Sequence, residues 1–326
     1  MNHSHLRYRF YVATAAVSVA VGIVIGILLP IQSPVEIVVD THENNSSYHF
    51  INPLLSCGDE KFSRIQNGQM NELQKKLDAY IASQTQEGVL DTASVYVREL
   101  NGGQFISINP DIQFIPASLL KVPLAMSIYL HGERDPDFLA GKVFVGAVDT
   151  PASEFFTAPI ISASTTYSVQ QLLDTMIMNS DNAAALALVG TISTADLDQS
   201  YSDLGVIVPS DEKYTMTVAS YAGFFRVLYN ATYLTHADSE HLLDLLSRSV
   251  FKQGLVAGLP PGVVVSHKFG ERGFNNPQTP DQLHDCGIVY TRNPYVICVM
   301  TQGRGYEAMA GVIANISKMV YAYAGL

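Results

Sequence analysis

The sequence predicts an α+β domain, a five-stranded antiparallel sheet flanked by N- and C-terminal helices with a helical lobe beside it, preceded by one transmembrane helix. Three observations predict the domain. Apolar residues recur at helical spacing near both of its ends, β-rich runs fall into two groups far apart in the chain, and the interval between those groups is helical in period.

The elements follow in order. Residues 10–31, FYVATAAVSVAVGIVIGILLPI, carry no charge and are long enough to cross a bilayer as a helix. Arg7 and Arg9 precede this run and Glu36, Asp40 and Glu43 follow it, so the positive-inside bias places residues 1–9 in the cytoplasm and everything after Ile31 outside. A retained anchor fits better than a cleaved signal, because the run exceeds an ordinary signal core and no clean small-residue cleavage site follows. The expected location is a single-pass membrane protein with its working part at the cell surface or in the periplasm. Residues 32–60 have early prolines, several Asn and Ser and no sustained period, and read as a linker to a domain spanning 61–326.

Within the domain, Met70, Leu73, Leu77 and Ile81 mark a helix with one buried face. Residues 93–100 and 104–109 flank Asn101-Gly102-Gly103, a strand, tight turn and strand. From Leu119 to about Leu246 the period is helical, strands return at VVVSHKFG, HDCGIVY and YVICVMTQG, and a helix from about Tyr306 to Tyr323 closes the chain. The last two strands flank the turn-like Thr291-Arg292-Asn293-Pro294, making Cys286 and Cys298 candidate cross-strand neighbours, as buried thiols or as a disulfide. The third cysteine, Cys57, leaves an odd count that is too small for a disulfide scaffold.

Composition excludes several classes. The 326 residues are 48% hydrophobic and 15% charged with a net charge of -11, which argues against a binder of nucleic acid. The mean hydropathy of +0.16 comes from residues 10–31 alone, the rest of the chain averaging near zero. No metal-ligand spacing and no phosphate-binding glycine loop occurs, so no metal or cofactor is expected.

The chemistry lies in hydroxyl and amine pairs. A Ser-x-x-Lys at a helix start puts a nucleophile and a base on one face, and a desolvated amine is easier to use as a neutral base. Three matches occur: Ser118 with Lys121, Ser210 with Lys213, and Ser249 with Lys252. The second lies in an acidic loop-like stretch and the third precedes a glycine-rich turn, and both read as surface segments. Only Ser118 opens an apolar helix, LLKVPLAMSIYL, that draws its lysine into an apolar setting. Two further triplets interrupt apolar elements, Ser180-Asp181-Asn182 between helical runs and Lys268-Phe269-Gly270 in a β-branched strand.

In that order Ser-x-x-Lys, Ser-Asp-Asn and Lys-x-Gly resemble the signature of class A β-lactamases and the penicillin-binding D,D-peptidases. The resemblance spans about Lys61 to Leu326. It implies Ser118 as the acylated nucleophile, Lys121 as the group that takes its proton, and Ser180 as a proton shuttle to the leaving nitrogen. Asn182 would bind the substrate's amide side chain, and Lys268 would set the electrostatics and position a substrate carboxylate. An oxyanion hole would form from the backbone N–H groups of Ser118 and Glu271, the latter next to Gly270. Asp181 reads as a helix cap.

Two departures stand out. Phe269 occupies the place where the family carries a Thr or Ser that binds the substrate carboxylate, with His267 the nearest substitute donor or, alternatively, a strand histidine facing its own neighbours. The family's Glu-x-x-Leu-Asn, which activates the deacylating water, is absent, and Asp196, Asp198, Asp203, Asp211 and Glu212 are the only carboxylates in the corresponding interval. The aromatic stretch Glu154-Phe155-Phe156 reads as core packing or pocket rim. The expected partners are β-lactam or peptidoglycan-type substrates, and the expected activity is that of a serine hydrolase acting on amide bonds with slow deacylation. A D,D-peptidase and a noncatalytic penicillin-recognising module are the alternatives.

Overall fold

The two groups of β-rich sequence meet in one sheet. In a computed structural model describing residues 48–53, 60–101, 103–147, 160–206, 214–273 and 279–324, the strands are β1 (Leu90–Glu99), β2 (Phe105–Ile108), β5 (Val264–Arg272), β6 (Asp281–Tyr290) and β7 (Tyr295–Gly303). They run antiparallel in the order β2-β1-β7-β6-β5, so strands from both ends of the domain pair through β1 and β7 at the centre. The expected five-stranded antiparallel sheet is present.

Alternation along these strands separates two cores. One face, with Val95, Val97, Val265, Phe269, Leu283, Ile297 and Val299, packs on α1 (Glu60–Gln86) and α8 (Tyr306–Ala324), the latter contributing Met309, Ile313, Ile316 and Val320. The predicted α1 residues Met70, Leu73, Leu77 and Ile81 are all buried there. The other face, with Tyr96, Cys286, Ile288, Val296, Cys298 and Met300, packs on the helical lobe. That lobe consists of α2 (Lys121–Arg134), α3 (Val169–Met178), α4 (Asn182–Val189), α5 (Thr194–Asp203), α6 (Val218–Tyr229) and α7 (His236–Ser247). Side-chain caps define most of its helix starts: Ser168, Asp181, Ser193, Thr217 and Thr235 each accept a backbone N–H of the first turn.

Helical periodicity did not reveal one element. Inside the lobe, β3 (Lys142–Val145) and β4 (Thr165–Ser168) form a separate two-stranded sheet. Each has four residues, too few for an alternating pattern to stand out from the helices around them.

Residues 48–53, within the expected linker, are held against the lobe. The Glu240 carboxylate on α7 accepts the backbone N–H groups of His49, Phe50 and Ile51, and Ile51 is buried. The apolar run 10–31, most of 32–60, Cys57, the pair Ser210 and Lys213, and Glu154 to Phe156 lie outside the described residues. Among the described residues no helix is long and apolar enough to cross a membrane.

Cys286 and Cys298 are opposed in the β6–β7 register and joined by a disulfide, which decides between the two readings of the sequence. Both are fully buried on the lobe face. Of three cysteines in the chain, one is therefore expected to react with a thiol reagent in unreduced denaturant and three after reduction. Reduction is expected to lower the unfolding free energy by about 2 to 4 kcal/mol in denaturant titrations.

Candidate active site

The site is assembled where β5, the outer strand of the sheet, meets the lobe. Ser118 lies in a 3-10 turn, Ala117–Leu120, and the α-helix α2 begins only at Lys121. The sequence predicts Ser118 at the start of the α-helix itself. Pro116 supplies no donor, and Ala117 takes φ +50, a left-handed conformation costing a residue with a Cβ of order 1 to 3 kcal/mol. Such a turn persists only where its surroundings hold it. Phe114 exchanges backbone hydrogen bonds with Met216 at 3.1 and 3.0 Å, and the buried Tyr221 hydroxyl donates to the Leu119 carbonyl at 3.0 Å.

Gly270 allows β5 to approach this turn. A Cβ at Gly270 would lie 2.6 Å from the Pro116 carbonyl oxygen and 3.1 Å from Leu119 N, so any side chain there would separate strand and turn. Because β5 is an edge strand, alternate N–H groups point away from β6.

Two buried amines converge on Ser180. Lys121 is 6% exposed, and its Nζ donates to the Ser180 carbonyl oxygen, to Ser180 Oγ at 3.2 Å and to Asn182 Oδ1 at 2.6 Å. Lys268 is fully buried, and its Nζ donates to Ser180 Oγ at 2.7 Å and to the Phe269 carbonyl at 2.9 Å. Ser180 itself adopts φ +57. Burial pushes the Lys121 ammonium down to about 7, opposed by the Asp181 and Glu271 carboxylates. Burial pushes Lys268 well below the ordinary lysine value, aided by the charge of Lys121 and opposed by Asp285 and Glu271. Two desolvated cations around one hydroxyl favour loss of a proton from one of them.

The structure thus brings Ser118, Lys121, Ser180, Asn182, Lys268, Gly270 and Glu271 to one junction. Asp181 is the expected cap: its Oδ1 accepts the Ala184 N–H at 2.8 Å, while Oδ2 accepts the N–H groups of Ile160 and Ile161 at 2.7 and 3.2 Å. Ser249 and Lys252 do not form a pair, since Ser249 is buried after α7 and Lys252 faces solvent.

His267 is not a substitute donor for the cleft. It lies on the face of the sheet away from the lobe, fully buried, with Nδ1 2.8 Å from Asp285 Oδ1, while Asp285 Oδ2 accepts the Leu255 N–H at 2.9 Å. Phe269 shares that face and stacks on Phe251 with ring centroids 4.3 Å apart. The side chain that replaces the family's hydroxyl is therefore core packing, and Lys268 Nζ lies over its ring, 4.4 Å from the centroid.

Sequence patterns did not single out Tyr221, Gln282 or His284, all of which hold the Ser118 turn. The available signal was polarity at lobe-facing positions of an apolar strand: Gln282 and His284 stand in the same row of β6 as Cys286 and Ile288. Among the described residues no cluster of three or more ligating side chains suits a metal ion.

Two buried lysines around the Ser180 hydroxyl, with Ser118 in the adjoining turn at the edge of an antiparallel sheet, suit the chemistry of a serine hydrolase. The model of the β-lactamase enzyme family matches residues 72–324, and the chain belongs to that family as a serine hydrolase acting on amide bonds. Solved structures resemble it at low identity. PBP-A is 23% identical over 78% of this chain and 97% of its own, with a TM-score of 0.65. A mutant of PBP-A in an acyl-enzyme complex with penicillin G is 22% identical over the same shares, with a TM-score of 0.66. A β-lactamase from Chitinophaga pinensis is 19% identical over 78% of this chain and 99% of its own, at 0.67. No curated protein matches the sequence.

Two outcomes follow. Gly270→Ala is expected to destabilise the fold by about 1 to 3 kcal/mol through overpacking and to reduce reaction at Ser118, measured by melting and by covalent labelling. The buried His284 is held down to about 4 by desolvation, against 6.5 for a free imidazole. Between those values the unfolded chain binds the proton and the native one does not, so stability is complete above pH 6.5 and falls as pH drops toward 4. The loss is about 3 kcal/mol, read from denaturant titrations across pH, and His284→Gln should flatten it.

Proposed function

We propose that this chain is an anchored extracytoplasmic hydrolase that is acylated at Ser118 by β-lactams or related acyl donors and releases the acyl group slowly. The observation that carries this reading is the Ser180 hydroxyl placed between Lys121 Nζ and Lys268 Nζ at the turn bearing Ser118. In its neutral form Lys121 takes the Ser118 proton while Oγ attacks the carbonyl carbon. The oxyanion is held by the N–H groups of Ser118 and Glu271, the strand and turn being brought together at Gly270. When the C–N bond breaks, Ser180 gives its proton to the leaving nitrogen and is reprotonated from Lys121, so the proton taken from Ser118 leaves with the amine. Asn182 orients the substrate amide, and Lys268 favours a substrate carboxylate in a pocket where Phe269 offers no hydroxyl. The solved structures that resemble this chain include a PBP-A mutant in an acyl-enzyme complex with penicillin G, which supports β-lactams as reactants.

Slow release is argued from the carboxylates of that interval among the described residues, Asp211 and Glu212 lying outside them. Asp196 accepts from Ser193 at the start of α5, Asp203 accepts from Gln199 at 2.7 Å, and Asp198 is exposed, so these carboxylates serve the helix or face solvent. Loss of a general base costs about 100- to 10,000-fold in rate. The same deficit favours, as a second reading, a D,D-peptidase acting on cell-wall peptides, which release of D-alanine from a peptide would support. The uncharged run 10–31 behind Arg7 and Arg9 supports the anchor.

Intact mass spectrometry of the protein with penicillin G over time tests the reading. A persistent adduct of one penicillin, absent in Ser118→Ala, is expected. Rapid decay of the adduct would overturn slow deacylation, and no adduct would favour a noncatalytic module. The acylation rate is expected to rise with pH about a midpoint near 7, as Lys121 loses its proton, and to fall about 100- to 10,000-fold in Lys121→Met.

A further inference from the structure

The backbone entering the Ser118 turn meets the sheet through side chains instead of a ladder. On the lobe side Phe114 is bridged to Met216 through both backbone groups. On the sheet side Ile115 meets two side chains of β6: its N–H donates to Gln282 Oε1 at 3.0 Å, and its carbonyl accepts from His284 Nε2 at 3.0 Å. Gln282 and His284 are two residues apart and share one side of the strand, so together they present an acceptor and a donor as a neighbouring peptide would.

The imidazole is itself fixed. His284 Nδ1 accepts the Thr301 N–H of β7 at 3.3 Å, which leaves the ring proton on Nε2 for Ile115, and Phe114 meets the ring edge-on with centroids 5.5 Å apart. His284 is fully buried and Gln282 is 7% exposed. Three residues beyond Ile115 stands Ser118, after a proline and a residue with positive φ, so a shift of Ile115 passes directly to the nucleophile.

We propose that Gln282 and His284 are positioning residues that clamp the Ile115 peptide and thereby set Ser118 Oγ toward Lys121 and the Ser118 N–H toward the oxyanion position. The inference rests on Ser118 being the nucleophile.

Paired substitutions separate positioning from general support of the fold. His284→Asn keeps an acceptor for the Thr301 N–H but falls short of Ile115, whereas His284→Gln reaches Ile115 with an amide donor and gives up Thr301. Gln282→Met removes the acceptor for Ile115 N–H, and Gln282→Glu keeps it. Acylation by penicillin G is followed by stopped flow and mass spectrometry, with noncovalent affinity measured in the Ser118→Ala background and melting recorded for each variant. H284N and Q282M are expected to acylate about 100-fold more slowly with affinity little changed, and H284Q and Q282E to stay within a few-fold of wild type. The proposal is overturned if folded H284N or Q282M acylates at the wild-type rate, or if H284Q falls as far as H284N. Should H284N fail to fold, the Gln282 pair decides. Should the wild type form no adduct, the functional reading fails on its own, and crystal structures of Q282M and Q282E decide the clamp by whether Ser118 Oγ moves relative to Lys121 in the first and not in the second.

Discussion

Two lysine side chains buried around one serine hydroxyl set the constraint on which this site depends. Lys121 and Lys268 each donate to Ser180 Oγ, neither makes an ion pair among the described residues, and both lie out of solvent. Burial of an unpaired ammonium is costly, and two together are costlier still. The fold accepts that arrangement because the Ser180 and Asn182 oxygens and the Phe269 carbonyl satisfy the donors, and because one amine is free to shed its proton. The strain of positive φ at Ala117 and Ser180 falls at the same junction.

The rest of the molecule keeps the two halves of this junction in register. The lobe delivers Ser118, Lys121 and Ser180, and the sheet edge delivers Lys268, Gly270 and Glu271. The disulfide lies on the lobe face of the sheet, and Ser266 on the neighbouring strand donates to the Leu243 carbonyl of α7 at 2.6 Å. On the opposite face, the Phe269–Phe251 stack and the His267–Asp285 pair anchor β5 from below. Alternation along β5 thus turns Lys268 toward Ser180 and its two neighbours toward the opposite core.

The sheet and its terminal helices were legible in the chain because their signals are strong: continuous β-rich runs, a hairpin turn at Asn101-Gly102-Gly103, and apolar spacing at Met70, Leu73, Leu77 and Ile81. The short strands β3 and β4 were not: four residues cannot carry a period, and unlike the equally short β2 they are not joined by a tight Asn-Gly turn to mark a hairpin. Ser118 and both lysines stood out in the chain because a polar group that interrupts an apolar element has few structural reasons to be there. His267 shares that pattern, yet it points to the other face of β5, and a one-residue step along a strand is enough to make that difference. Gln282 and His284 were hidden for the opposite reason. Their roles depend on Ile115, about 170 residues earlier in the chain, and no local spacing encodes that contact.

The protonation of Lys121 carries the account, and it can be observed directly. NMR titration of the lysine ε-methylene groups should show the resonance that Lys121→Met removes titrating near pH 7, far below the ordinary lysine value. A Lys121 that remains an ammonium up to pH 10 would contradict it, because no neutral amine would then stand beside Ser118 at physiological pH.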